Sequence, residues 1–182
     1  DYLVGVDDHS DFPVEVVRSL PRIGPDLDID IDRIIQLKPD WVITSLTVPG
    51  HERCLEKIQS AGLNYLVTQP VCIEDVIQDI QNIAELISQT TRAEHYAEAF
   101  RSRLASRPKN HDAIPLLVEW WPKPVIGPGQ RSWVNEMLQC AGGYNPFANC
   151  PKESVEVTAD QALEAGLQGI VMSWCGVSED KY

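Results

Sequence analysis

The chain has 182 residues and a formal net charge of −12, a balance that repels the phosphates of nucleic acid. Its length suffices for one domain or two small lobes with a real core, and no apolar run reaches the roughly 18 residues of a membrane span. Asp1-Tyr2-Leu3-Val4-Gly5-Val6 reads as an opening strand, followed by the polar loop Asp7 to Pro13. Ile31, Ile34, Ile35 and Leu37 then fall at helical spacing, and Pro39 stops that helix. Trp41-Val42-Ile43-Thr44 is a short apolar strand. Cys54, Leu55 and Ile58 mark a helix that Gly62 ends, and Tyr65-Leu66-Val67-Thr68 is the next strand. Val76, Ile77, Ile80, Ile83, Ala84 and Ile87 predict an amphipathic helix. Strands alternating with helices imply βαβ units and a mainly parallel sheet.

Residues 91–107 break the alternation. Ala93, Tyr96, Ala97, Phe100 and Leu104 give a helix face with no strand before it, the mark of a connector between lobes. The expected division is a first α/β lobe over 1–90, a connecting helix over 91–107 and a second α/β lobe over 108–182. The second lobe opens with an apolar strand from Ile114 to Val118. Trp120, Trp121 and Trp133 follow it closely, while Pro122, Pro124 and Pro128 with Gly127 and Gly129 predict an irregular connection. Large aromatics at a strand's carboxyl end are costly to leave in water unless they meet a ligand or a core, and in open α/β sheets ligands bind at that edge. Thr158 and Gln161 form a capping-box pair, and Gly166 closes the helix that they open. The stretch from Ile34 to Ser45 also lines up with Ala162 to Ser173, each a helix end, a breaker and an apolar strand finishing at serine. A true repeat means two similar lobes; two ordinary αβ units would look the same.

Most sharper motifs fail. The run Asp26 to Asp32 has alternating aspartates, but a calcium loop counted from Asp28 would need glycine at Arg33 and glutamate at Pro39. Asp28 and Asp30 instead suit a helix cap, with Asp32 in the first turn. His51-Glu52-Arg53-Cys54 lacks the second histidine of a zinc-protease helix. His9, His51, His95 and His111 have no paired spacing, so no metal site is expected, and His9 reads as a solvated loop histidine. Gly127-Pro128-Gly129 is not a phosphate loop, and no nucleophile elbow or other catalytic constellation is present. The five cysteines form no CxxC pair; free thiols with one bridge such as Cys140–Cys150 would fit, and the compartment stays open.

Taken together, several stretches resemble the ABC-importer substrate-binding proteins that carry vitamin B12, haem or ferric siderophores, the cobalamin-binding members above all. The matching pieces are Val4-Gly5-Val6, Asp11-Phe12-Pro13, Leu20-Pro21-Arg22-Ile23-Gly24, Asp32 through Ile43, Glu119-Trp120, Gly127 through Trp133, Glu136-Met137-Leu138, Ala141 through Asn145, and Cys175-Gly176. The resemblance implies two Rossmann-like α/β lobes with mainly parallel sheets, joined by a long backbone helix and here apparently truncated at both ends. It implies no catalysis and no cofactor, and a large chelate held between the lobes. Phe12, Pro13 and Leu46 would face the ligand from the first lobe. Trp120, Trp121, Arg131, Ser132, Trp133, Trp174, Cys175 and Gly176 would face it from the second. Flat aromatics suit a corrin ring. Asp32 and Glu136 are the positional candidates for the acids that dock such proteins on the membrane permease. The aromatics that the family leads one to expect near Gly24 and Leu46 are missing.

The leading expectation is therefore an extracytoplasmic solute-binding protein that delivers cobalamin or a related chelate to an ABC importer. Two alternatives stay open. One is a cofactor- or cluster-handling enzyme on similar lobes, for which Cys140 and Cys175 are the plausible ligand pair. The other is a cytoplasmic ligand sensor.

Overall fold

A computed structural model of the chain describes residues 2–105 and 112–174. By their contacts the residues fall into two units, Asp1–Gln69 with Glu85–Ser88, and Pro70–Ala84 with Gln89–Tyr182. This differs from a boundary at residue 90, because most of the amphipathic helix of residues 73–86 groups with the second unit.

In the first unit the opening segment is extended but hardly paired. Val6 bridges Arg22 in parallel, with Val6 N–H donating to Pro21 O and Ile23 N–H to Val6 O, both at 3.0 Å. Tyr2, Leu3 and Val4 remain exposed, so the predicted strand is here a single bridge. α1 (Val14–Val17) follows, then α2 (Ile31–Leu37). Asp30 caps α2 by accepting from Arg33 N at 3.0 Å. Asp28 does not cap; it pairs with Lys57 Nζ at 2.6 Å. α2 ends where Lys38 turns left-handed at φ 50°, immediately before Pro39, as the sequence predicts. β1 (Val42–Ser45), α3 (His51–Ser60) and β2 (Tyr65–Thr68) complete a βαβ unit. β1 and β2 run parallel, in register from Val42 opposite Tyr65 to Ser45 opposite Thr68. α3 buries His51, Cys54 and Ile58, which share one helix face.

In the second unit α4 (Ile73–Leu86) and α5 (Thr90–Ala105) pack through Ile73, Ile77 and Ala97, with Phe100 and Leu104 against them. Arg101 grips Glu74 across the pair. β3 (Ile114–Glu119), β4 (Trp121–Pro122), β5 (Val125–Pro128), α6 (Val134–Cys140), β6 (Gly143–Tyr144), β7 (Ser154–Glu156), α7 (Ala159–Glu164) and β8 (Gly169–Met172) follow. β3 lies between β6 and β8, parallel to both. A second sheet, β4-β5-β7, is antiparallel.

That second sheet overturns the expected irregular connection after Trp120. Pro122 sits on the edge strand β4 and Pro128 at the end of β5, positions where a missing N–H breaks few ladder bonds. Glycine allows β5 to lie close over β3: a Cβ on Gly127 would stand 2.8 Å from Leu117 Cδ1 and from Val118 O. Leu117 and Pro128 are among the most deeply buried side chains of the described residues. Cys54, Cys72, Cys140 and Cys150 are all free thiols, so the suggested Cys140–Cys150 bridge is not formed.

Candidate functional site

The carboxyl ends of the adjacent parallel strands β3 and β8 concentrate the candidate residues of the second unit. Glu119 ends β3 opposite Met172, and Ser173 N–H donates to Glu119 O at 2.8 Å. Trp120 follows Glu119 directly, and Trp174 follows Ser173. The Trp174 indole Nε1–H donates to Glu119 Oε1 at 2.6 Å, which orients that ring against the end of β3. Trp120 N–H donates to Ile126 O at 2.7 Å and so ties the β4–β5 hairpin to the same edge. Trp120 and Trp174 are half-buried, while Trp121 is 45% exposed.

After β5 the chain stays regular through hydrogen bonds to the segment before β7. Gly129 N–H donates to Glu153 O at 2.9 Å, Gln130 N–H to Cys150 O at 2.7 Å and Arg131 N–H to Lys152 O at 3.1 Å. The Arg131 side chain is exposed and pairs with Glu153 at 3.2 Å. Ser132 is only 6% exposed, and its Oγ accepts from Val134 N at 3.3 Å. It therefore serves the start of α6 rather than presenting a free hydroxyl. Trp133 is half-buried at that helix start. Cys175 and Gly176 lie outside the described residues.

In the first unit Phe12 is 82% exposed and Pro13 half-buried. Their loop is anchored by Arg22, whose Nη1 donates to Asp7 O at 2.7 Å and to Ser10 O at 2.6 Å. Leu46 is half-buried, held after β1 by its N–H bond to Thr68 O at 3.0 Å. The histidines meet in a way their spacing did not suggest. Asp26 faces His9 Nε2 at 3.5 Å with one carboxylate oxygen and His51 Nε2 at 3.4 Å with the other. His51, only 8% exposed, also meets Ser45 Oγ through Nδ1 at 3.1 Å. Among the described residues, no group of three or more His, Cys, Asp or Glu side chains is arranged to hold a metal ion.

The two candidate docking acids differ. Asp32 is exposed in the first turn of α2. Glu136, in the first turn of α6, has one oxygen committed, because Oε2 accepts from Ile73 N at 2.7 Å and thereby caps α4.

The model of the periplasmic binding protein family matches residues 1–181. The chain belongs to that family. The vitamin B12-binding protein of Photorhabdus laumondii is 27% identical to the chain over 176 residues. That match covers 95% of this chain and 63% of the relative. The vitamin B12-binding protein of Vibrio cholerae is 26% identical over 166 residues, which cover 90% of this chain and 59% of the relative. The chain thus spans less than two thirds of the length of these relatives. A crystal structure of the periplasmic vitamin B12-binding protein of Vibrio cholerae superposes with a TM-score of 0.75 at 26% identity, covering 94% of this chain and 68% of that one. The apo form of a periplasmic haem-binding protein from Roseiflexus shares the fold, with a TM-score of 0.77 at 23% identity over 94% of this chain and 68% of that one.

Within this periplasmic binding protein the internal repeat has a structural counterpart. α2 and β1 correspond to α7 and β8, and Lys38 at φ 50° corresponds to Gly166 at φ 62°, so both units leave the helix through a left-handed residue. Extended two residues toward the amino end, the alignment places Asp160, in the first turn of α7, on Asp32. Asp160 was not singled out from sequence, because the repeat was read only from Ile34 and Ala162 onward.

Proposed function

We propose that the protein is an extracytoplasmic solute-binding protein that captures a large metal chelate of the cobalamin, haem or ferric-siderophore class for an ABC importer. The observation that carries this reading is the aromatic carboxyl edge of β3 and β8. There Trp120, Trp121 and Trp174 follow adjacent parallel strands, with Trp174 oriented by Glu119. Such an edge gives broad apolar faces and few polar anchors, which suits a macrocyclic chelate. Membership in the periplasmic binding protein family supports it, as do relatives named for binding vitamin B12. Arg131, which pairs with Glu153 at 3.2 Å, is the cation that the reading assigns to a peripheral carboxylate or phosphate of the ligand. The function is binding and delivery without chemistry.

On the permease side the reading takes Asp32 and Asp160 as the docking acids. They stand at equivalent helix starts, whereas Glu136 is occupied as a helix cap. Isothermal titration with cyanocobalamin, haemin and a ferric siderophore tests the proposal. Saturable heat with one of them is expected, and silence with all three, together with unchanged absorption spectra, would refute it.

A further inference from the structure

The backbone that leads from β5 to Trp133 is held on both sides. Its N–H groups at Gly129, Gln130 and Arg131 bond to carbonyls of residues 150–153. Its carbonyls are taken by two side-chain amides. Asn145, only 6% exposed, donates Nδ2–H to Pro128 O at 2.7 Å and to Asn135 Oδ1 at 2.9 Å. Asn135 in turn donates Nδ2–H to Gly129 O at 2.8 Å and to Gln130 O at 3.4 Å. The orientation of this chain is fixed at its buried end, because Phe147 N–H donates to Asn145 Oδ1 at 2.9 Å. That oxygen is thereby committed, and the amide nitrogen must face Pro128 and Asn135. Both amides are satisfied, Asn145 buried and Asn135 half-buried, and a satisfied polar network anchored at a buried end favours one arrangement of the backbone around it.

We propose that Asn135 and Asn145 are positioning residues for the ligand wall: their linked amides hold the Pro128–Gln130 carbonyls, so that Arg131 and Trp133 are presented in one arrangement before any ligand arrives. This rests on the reading of the second unit as a chelate-binding surface. The carbonyls could instead find water in a loosened loop, and each ligand would then have to select the competent form. A protein whose competent form is populated one time in ten binds about tenfold more weakly, with the deficit in association rather than dissociation. A residue that merely touched the ligand would act on dissociation instead.

The informative substitution is Asn135→Asp. It keeps the acceptor for Asn145 but replaces the donor to Gly129 and Gln130 with a carboxylate facing two carbonyls. Stopped-flow association and dissociation of the chelate that titrates with the wild-type chain, with Asn135→Ala and Asn145→Ala alongside, give the test. An association rate lowered about tenfold with dissociation unchanged is expected for Asn135→Asp. Unchanged association, or a loss confined to dissociation, overturns the proposal. Amide hydrogen exchange at Gly129, Gln130 and Arg131 in the ligand-free full chain provides an independent arm. Protection there should fall about tenfold or more in Asn135→Asp while that of β3 stays as in wild type. Unaltered protection in a folded variant overturns the proposal as well. If the wild type binds none of the chelates, the functional reading fails, and the exchange arm still decides whether the amides position this segment.

Discussion

Glu136 Oε2 accepts the backbone N–H of Ile73 at 2.7 Å, so an acid on α6 caps α4 within the second unit. Ile73 heads the cluster that joins α4 to α5 through Ile77 and Ala97, and the cap and that core stabilise one another. Glu136→Ala should cost about 1 kcal/mol, which is about 2–4 °C in midpoint for a chain of this size. Glu136→Gln keeps an acceptor and should lose less. Thermal unfolding by circular dichroism checks both, and an unchanged midpoint in Glu136→Ala would show that the cap contributes nothing.

If the repeat identifies the docking acids, Asp32→Ala and Asp160→Ala should leave ligand affinity and unfolding temperature near wild type. They should also lower binding to the cognate permease, in detergent or nanodiscs, by about tenfold each. Reversing both charges, as in Asp160→Lys combined with Asp32→Lys, should abolish it. Full permease binding by the double variant would return the role to other residues.

The fold was legible where it depends on neighbours in sequence. Thr158 and Gln161 make the reciprocal capping box, Lys38 and Pro39 end α2, and the alternation around β1 and β2 gives the parallel pair. It was illegible where distant segments decide. The hairpin of β4 and β5 carries Pro122 at an edge and Pro128 at an end, and its stability comes from pairing with β7, some thirty residues away. The opening segment has strand-forming side chains, yet its pairing is the single parallel bridge of Val6 to Arg22, sixteen residues on. The strand-end tryptophans were visible as a composition signal, whereas Ser132 turned inward to serve α6. The approach of His9 and His51 to Asp26 depends on tertiary placement that no spacing rule contains.

Asp7 carries a pH signature. Burial pushes its carboxyl up, but hydrogen bonds from Ser10 Oγ at 2.6 Å and from His9 N–H at 2.8 Å outweigh it and hold it below its ordinary value of 3.8. A depressed folded value means that this interaction stabilises the fold above the unfolded titration and fades as pH falls through the folded one. Ser10→Ala should therefore raise the Asp7 titration seen by NMR. It should destabilise the chain at neutral pH and make no difference at about pH 2. An equal loss at both pH values would assign the effect of Ser10 to packing instead.

Gly129 tests the close approach of the wall segment to its neighbour. A Cβ there would collide with Lys152 O and stand 3.1 Å from Cys150 O, both backbone atoms that cannot swing aside. Gly129→Ala should cost about 1–3 kcal/mol and weaken ligand binding, because the strands must part where Gln130 and Arg131 are bonded. Denaturant titration gives the stability loss, and an alanine accommodated at wild-type stability would show that the segment can move off Lys152 without cost.

Trp121 separates ligand contact from core packing. Its ring is 45% exposed at the start of β4, so Trp121→Ala should lower stability by less than about 1 kcal/mol. If the aromatic edge of β3 and β8 faces the chelate, the same change should weaken binding about tenfold or more, as expected when a large aromatic anchor is truncated. Trp174→Phe makes the complementary change. It preserves a ring but removes the N–H that Glu119 Oε1 accepts, and should weaken binding by misorienting the ring rather than by removing contact area. Fluorescence quenching by the bound chelate reads both variants directly. Wild-type affinity in Trp121→Ala would move the ligand away from the hairpin, while wild-type affinity in Trp174→Phe would show that Glu119 serves the strand end rather than the site.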